Sequence, residues 1–193
     1  MKGSEIKLIA YMDGAKKRFV IPVYQRNYEW KIENCKQLFD DLIKVVRNKR
    51  KSHFFGSIVS VHSDEARYDE YLVIDGQQRL TTLMLLLRAF YTRFGKMQDK
   101  NSIAARRTIE KCIWKTDEFD EPDKEALKID SEVATDKDKE EFLLILKSGE
   151  VTKEQKSNYA ANFRFFEDKI NTFLFEYPSF FSYLPMRILN NCI

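Results

Sequence analysis

A branched apolar run, Tyr71 to Ile74, stops at Asp75-Gly76, and helical spacing begins at once, with Leu80, Leu83, Met84, Leu87, Tyr91 and Phe94 at i, i+3, i+4 and i+7 intervals. A strand must therefore turn straight into a helix. Gln77, Gln78, Arg79, Thr81 and Thr82 crowd that turn. The start of a helix offers free backbone N–H groups and a partial positive charge. Such a place binds anions, phosphate above all.

Two readings of Asp75 to Thr82 follow from the residues. In the first the turn is a capping box, with Asp75 as N-cap and Gln78 reaching back to its N–H, worth about 1 kcal/mol. That leaves Gln77, Arg79 and Thr82 without a role. In the second, Gly76 lets a phosphate approach the backbone and Arg79 adds a forked, permanently charged donor. Asp75 then caps, binds Mg²⁺ alongside the phosphate, or orients a water. No GxxxxGK[ST] loop and no dinucleotide fingerprint occurs in the chain.

The rest of the chain frames this turn. Phe19 to Val23 reads as a strand that Pro22 confines to an edge or an end. Tyr24 to Trp30 is a loop, either with its aromatics on the core and Arg26 paired to Glu29, or with Gln25 and Arg26 facing the Arg79 pocket and Tyr24, Tyr28 or Trp30 stacking on a base. Glu33 to Val46 is helical, with Leu38, Phe39, Leu42, Val45 and Val46 on one face. Arg47 to Lys51 is a basic loop. His53 to Val61 and Tyr68 to Asp75 form a hairpin about the turn Ser63 to Arg67. Helices follow at Gln77 to Phe94, Ile103 to Trp114, Lys137 to Leu146 and Ser157 to Leu174, with an acidic loop at Asp117 to Asp123 and an extended piece at Ala126 to Ile129. The texture changes near residue 97, so residues 1–97 are expected to form an α/β core and 98–193 a helical subdomain. The last residues, Pro185 to Ile193, look like a chain entering a new element, which points to truncation.

A net charge of +3 is too small to argue nucleic-acid binding by itself, so local clusters must carry it. Cys35, Cys112 and Cys192 are too widely spaced for a disulfide framework or a zinc site. The longest apolar run falls far short of the roughly 20 residues a bilayer needs. A cytoplasmic protein without a membrane partner is expected.

Three segments, IPVYQRNYEW at 21–30, HFFGSIV at 53–59 and VIDGQQRLTTL at 73–83, together resemble the N-terminal domain of GmrSD-type modification-dependent restriction endonucleases. The stretches 127–146 and 157–170 resemble its helical continuation. The resemblance implies an α+β fold: a ParB/sulfiredoxin-like small mixed sheet with helices, then a helical subdomain. It implies binding and hydrolysis of a nucleoside triphosphate, with Mg²⁺ as companion ion, coupled to sensing modified or invading DNA in bacterial anti-phage defence. Asp75, Gln78 and Arg79 are the expected catalytic residues and Asp75 the metal ligand. Gln25, Arg26, Gly76, Gln77, Arg79, Thr81 and Thr82 are expected to bind the nucleotide. The expected partners are DNA, a nuclease domain or subunit outside this chain, and a second copy in a homodimer. Relatives often carry an HNH-like nuclease domain; none is in this sequence, so cleavage by such a site is not expected here. The rival readings are a ParB-like nuclease acting at the Asp75–Arg79 turn, and a non-enzymatic DNA-sensing or docking domain.

Overall fold

The structure, a computed structural model, describes residues 6–15, 17–47, 54–63 and 69–177, without the side chains of Val45 and Val46. His53, Lys49 to Lys51, the turn residues 64–67, Tyr68 and the segment from Pro185 onward lie outside the described residues.

A short helix, α1 (Leu8–Met12), precedes strand β1 (Lys17–Ile21). Pro22 ends β1, since it has no N–H for a ladder. Helix α2 (Ile32–Arg47) buries Leu38, Phe39 and Leu42. Strands β2 (Val59–Ser63) and β3 (Asp69–Asp75) pair antiparallel, and helix α3 (Gln77–Phe94) starts beyond a single glycine. The chain continues as α4 (Lys100–Ile113), β4 (Trp114–Thr116), β5 (Pro122–Leu127), β6 (Ile129–Ser131), α5 (Lys139–Ser148) and α6 (Asn158–Glu176).

The fold is α+β, a mixed four-stranded sheet in the order β2-β3-β1-β6 with a helical region beside it. β1 runs parallel to both β3 and β6. β4 and β5 form a separate antiparallel pair. The expected boundary near residue 97 falls between α3 and α4. Nonetheless β6, from beyond it, completes the sheet, and one buried cluster joins Phe19 and Val73 to Ile109, Phe142 and Phe163.

Two expectations shift. The strand expected over His53 to Val61 begins only at Val59. Gly56 takes φ +102°, and residues 54–58 leave the ladder to lie across the start of α3. Trp114 and Pro122 open strands rather than closing a helix and a loop, because Trp114 pairs with Leu127 and Thr116 with Pro122.

Helix α3 is central. Leu80, Leu83, Met84 and Leu87 are buried as their spacing predicts, but so are Thr81, Thr82, Leu85, Leu86 and Arg88. A helix apolar on most sides is a core helix, and α3 packs against α4, α5 and α6. Arg88 is tolerated inside because its Nε donates to the Leu146 carbonyl at 2.7 Å and Nη1 to Thr92 Oγ1 at 2.7 Å. It thereby satisfies an end carbonyl of α5. Tyr159, Phe163, Phe166 and Ile170 of α6 form the opposing apolar face.

Cys35 and Cys112 are buried, and burial pushes both thiols up to about 12. Only the thiolate attacks a disulfide reagent. At about pH 8 neither should react with Ellman's reagent until the fold opens. Thiol counts before and after urea check this; rapid native reaction of both would contradict it.

Candidate functional site

The parallel strands β1, β3 and β6 end at Ile21, Asp75 and Ser131, on one edge of the sheet. Open sheets place ligands at that carboxyl edge. Three connections leave from it: the arm 22–31, the turn into α3, and the loop 132–138.

Gly76 is the N-cap of α3 at φ +85°, and no side chain caps the helix. The capping-box reading is therefore corrected. The left-handed glycine occupies the cap position and leaves Asp75 with 70% of its side chain exposed. Its Oδ2 stands 3.9 Å from Arg79 Nη2. Arg79 Nη2 donates to the Ser57 carbonyl at 2.6 Å, while its Nε is buried without a partner. A Cβ on Gly56 would meet this guanidinium, so the glycine lets residues 56–58 lie against Arg79.

The amides hold the arm. Gln25 Nε2 donates to the Ile74 carbonyl at 2.9 Å, and Gln77 Nε2 donates to the Arg26 carbonyl at 2.8 Å. Gln78 Oε1 accepts from the N–H groups of Glu29 (2.8 Å) and Trp30 (3.2 Å), and its Nε2 donates to the Asn27 carbonyl at 2.9 Å. Thr82 Oγ1 donates to the Gln78 carbonyl, so Tyr28 donates to Thr82 at 2.7 Å, and Asn162 Nδ2 donates to Tyr28 at 2.9 Å. Burial pushes the Tyr28 phenol up, which keeps it a donor, and its ring stacks on Tyr159 at 4.6 Å.

The expected site residues thus divide. Gln25, Arg26, Asp75 and Arg79 gather at the turn with side chains at least partly accessible, whereas Gly76 among them is buried beneath Ser57 and Ile58. Arg26 is 67% exposed and 3.5 Å from Glu29, the surface pairing foreseen as one alternative. Gln77, Gln78, Thr81 and Thr82 are buried. The polar atoms of Gln78 and Thr82, expected as a catalytic group and a nucleotide contact, are directed to the arm and to each other. Of the three candidate stacking aromatics, Tyr24 is 67% exposed and Tyr28 is buried, while Trp30 packs against the core. His62, given no role above, lies 2.8 Å from Asp69.

Two participants were missed. Asn162 sits three residues after Tyr159, inside the apolar face of α6, and an amide in such a face is the signal that could have found it. Asp136, 7% exposed, accepts from Tyr159 OH at 2.6 Å. Nothing local in the sequence distinguishes it from the surface acids around it.

A family model of the GmrSD restriction endonuclease, N-terminal domain, matches residues 8–191. The chain belongs to this family. It is a module of a DNA-acting restriction system, and the match runs through both halves of the sequence. No curated protein matches the chain. In this GmrSD N-terminal domain no helix among the described residues is long and apolar enough to cross a membrane.

Proposed function

We propose that this chain is the nucleotide-binding and NTP-hydrolysing module of its restriction system. The observation that carries the reading is the uncapped start of α3 at the carboxyl edge of the sheet, flanked by the accessible cations Arg26 and Arg79. First-turn N–H groups receive the phosphates once residues 57–58, which lie against Gly76, move aside. Arg26 and Arg79 neutralise the charge, with Arg79 exchanging the Ser57 carbonyl for a phosphate oxygen. Asp75, largely exposed beside them, orients the attacking water. Gln25, Gln77 and Gln78 position the arm. Tyr24 is the aromatic free to stack on a base. Positioning and charge neutralisation supply most of the catalysis in phosphoryl transfer. Modified DNA and a nuclease outside this chain are the proposed partners.

Calorimetry with ATP, GTP, CTP and UTP tests this. Arg79→Ala and Arg26→Ala should each weaken binding by about tenfold, the worth of roughly 1.4 kcal/mol, with little change in melting temperature for the exposed Arg26. The rival is a DNA-sensing or docking domain whose turn only holds the fold, and the saturation of Gln78 and Thr82 by the arm favours it. It predicts no heat with any nucleotide.

A further inference from the structure

Residues 56–58 cross the start of α3 as a single layer, held at both ends. Before them Phe55, 7% exposed, is anchored in the core. After them Ser60 Oγ accepts from Tyr11 OH at 3.3 Å. Between these fixed points stand two places where the backbone turns. Gly56 takes φ +102°, which L side chains rarely adopt. The pairing of β2 with β3 shifts register between Val59 and Ser60, and such a bulge bends a strand out of its ladder. The outer side of the segment faces solvent, with Ser57 exposed and Ile58 half-buried.

Its inner side lies on the place proposed for the phosphates. A Cβ on Gly76 would stand 2.8 Å from the Ser57 carbonyl oxygen and 3.0 Å from Ile58 Cα. Backbone therefore packs on backbone at the first turn of α3. A polar tie pins the contact, Arg79 Nη2 donating to the Ser57 carbonyl at 2.6 Å. The match is incomplete. Arg79 Nε is buried with no partner, and a Cβ on Gly56 would stand 2.8 Å from it. The segment thus covers this nitrogen without accepting from it, and a buried donor left unmet is costly. A guanidinium presents Nε and Nη2 side by side, a fork that two oxygens of one phosphate accept together. A phosphate satisfies what the Ser57 carbonyl leaves unmet, so the anion binds Arg79 better than the segment does.

We infer that residues 56–58 are an autoinhibitory strap, which occupies the phosphate position and which a polyphosphate displaces by taking Arg79 from Ser57. The inference rests on the nucleotide reading of the same turn. A site that is competent only with the strap lifted has its apparent affinity reduced by the lifted fraction. Changes that loosen the strap should then tighten nucleotide binding while they lower stability. Loss of a ligand contact weakens binding instead, and loss of a purely structural segment leaves it unchanged or weaker.

The test is calorimetry on the full chain with non-hydrolysable analogues of ATP, GTP, CTP and UTP. Ile58→Ala trims a side chain that packs against the core and leaves Arg79 untouched. Gly56→Ala strains the lowered strap and crowds the guanidinium away from Ser57. Each should tighten binding by about tenfold, as a tenfold larger lifted fraction requires, and each should lower the urea midpoint. If Gly56→Ala does not fold, Ile58→Ala decides. Wild-type binding that Ile58→Ala leaves unchanged or weakens overturns the strap and leaves the nucleotide reading standing. Binding of no analogue by the wild type or by Ile58→Ala overturns both.

Discussion

Gly76→Ala is expected to destabilise the protein by about 3 kcal/mol. Two costs combine. A non-glycine residue in the left-handed region costs roughly 1–2 kcal/mol, and Gly76 sits at φ +85°. The added Cβ would also stand 2.8 Å from the Ser57 carbonyl oxygen and 3.0 Å from Ile58 Cα. These are backbone atoms that cannot swing aside, and overpacking of this kind costs about 1–3 kcal/mol. Gly14→Ala provides the comparison. Its φ is +130°, but a Cβ there meets only the Lys17 side chain at 3.5 Å. It should lose only the backbone part. Urea unfolding of both variants separates the terms; equal losses would mean that residues 57–58 do not press against the turn. The result bears on function as well, because the same crossing segment holds Arg79 by the Ser57 carbonyl.

Gln78→Leu is the second large effect, about 2–4 kcal/mol. The side chain is 5% exposed and makes three hydrogen bonds to the arm, two accepted and one donated. Leucine fills much of the space but leaves three backbone groups without partners; the bonds are only part-buried, so water offsets a share of the about 1–3 kcal/mol that each group would cost if fully sealed. For a domain of this size that corresponds to a fall in melting temperature of roughly 4–16 °C. Amide exchange should rise at Asn27 to Trp30 and stay unchanged at Leu83 to Leu87 in mid-α3. If Gln78 instead served chemistry, the variant would keep its melting temperature and lose only turnover. The contrast with Arg79→Ala, expected to lose affinity, distinguishes a residue that holds the site from one that touches the ligand.

Residues within one turn of each other explain most of what was legible. The start of α3 at Gln77 and its end at Phe94 match the expected bounds, because strand, breaker and helical spacing are adjacent in the chain. The hairpin of β2 and β3 was legible for the same reason. Ser157 as the N-cap of α6, accepting from Ala160 N–H at 3.1 Å, is likewise a local matter. The start of β2 was misread because residues 54–58 have strand-like composition, yet their path is set by contact with α3, more than twenty residues on. The partners of Gln78 were not legible, because an amide's residue type states its hydrogen-bonding capacity and not its partner.

The order of polar and apolar residues alone determined that a strand must break into a buried helix at Asp75-Gly76, and that the end of that helix would be rich in donors. It also determined the family, through segments at 21–30, 53–59 and 73–83. Only the tertiary structure decided that β6 closes the sheet beside β1, since a three-residue strand carries too little periodicity to announce its place. It alone brought Asp136 to Gln77 and Asn162 to Tyr28. Those meetings join side chains far apart in the chain, and only the packing of α6 and the loop after β6 against the start of α3 brings them within reach of one another.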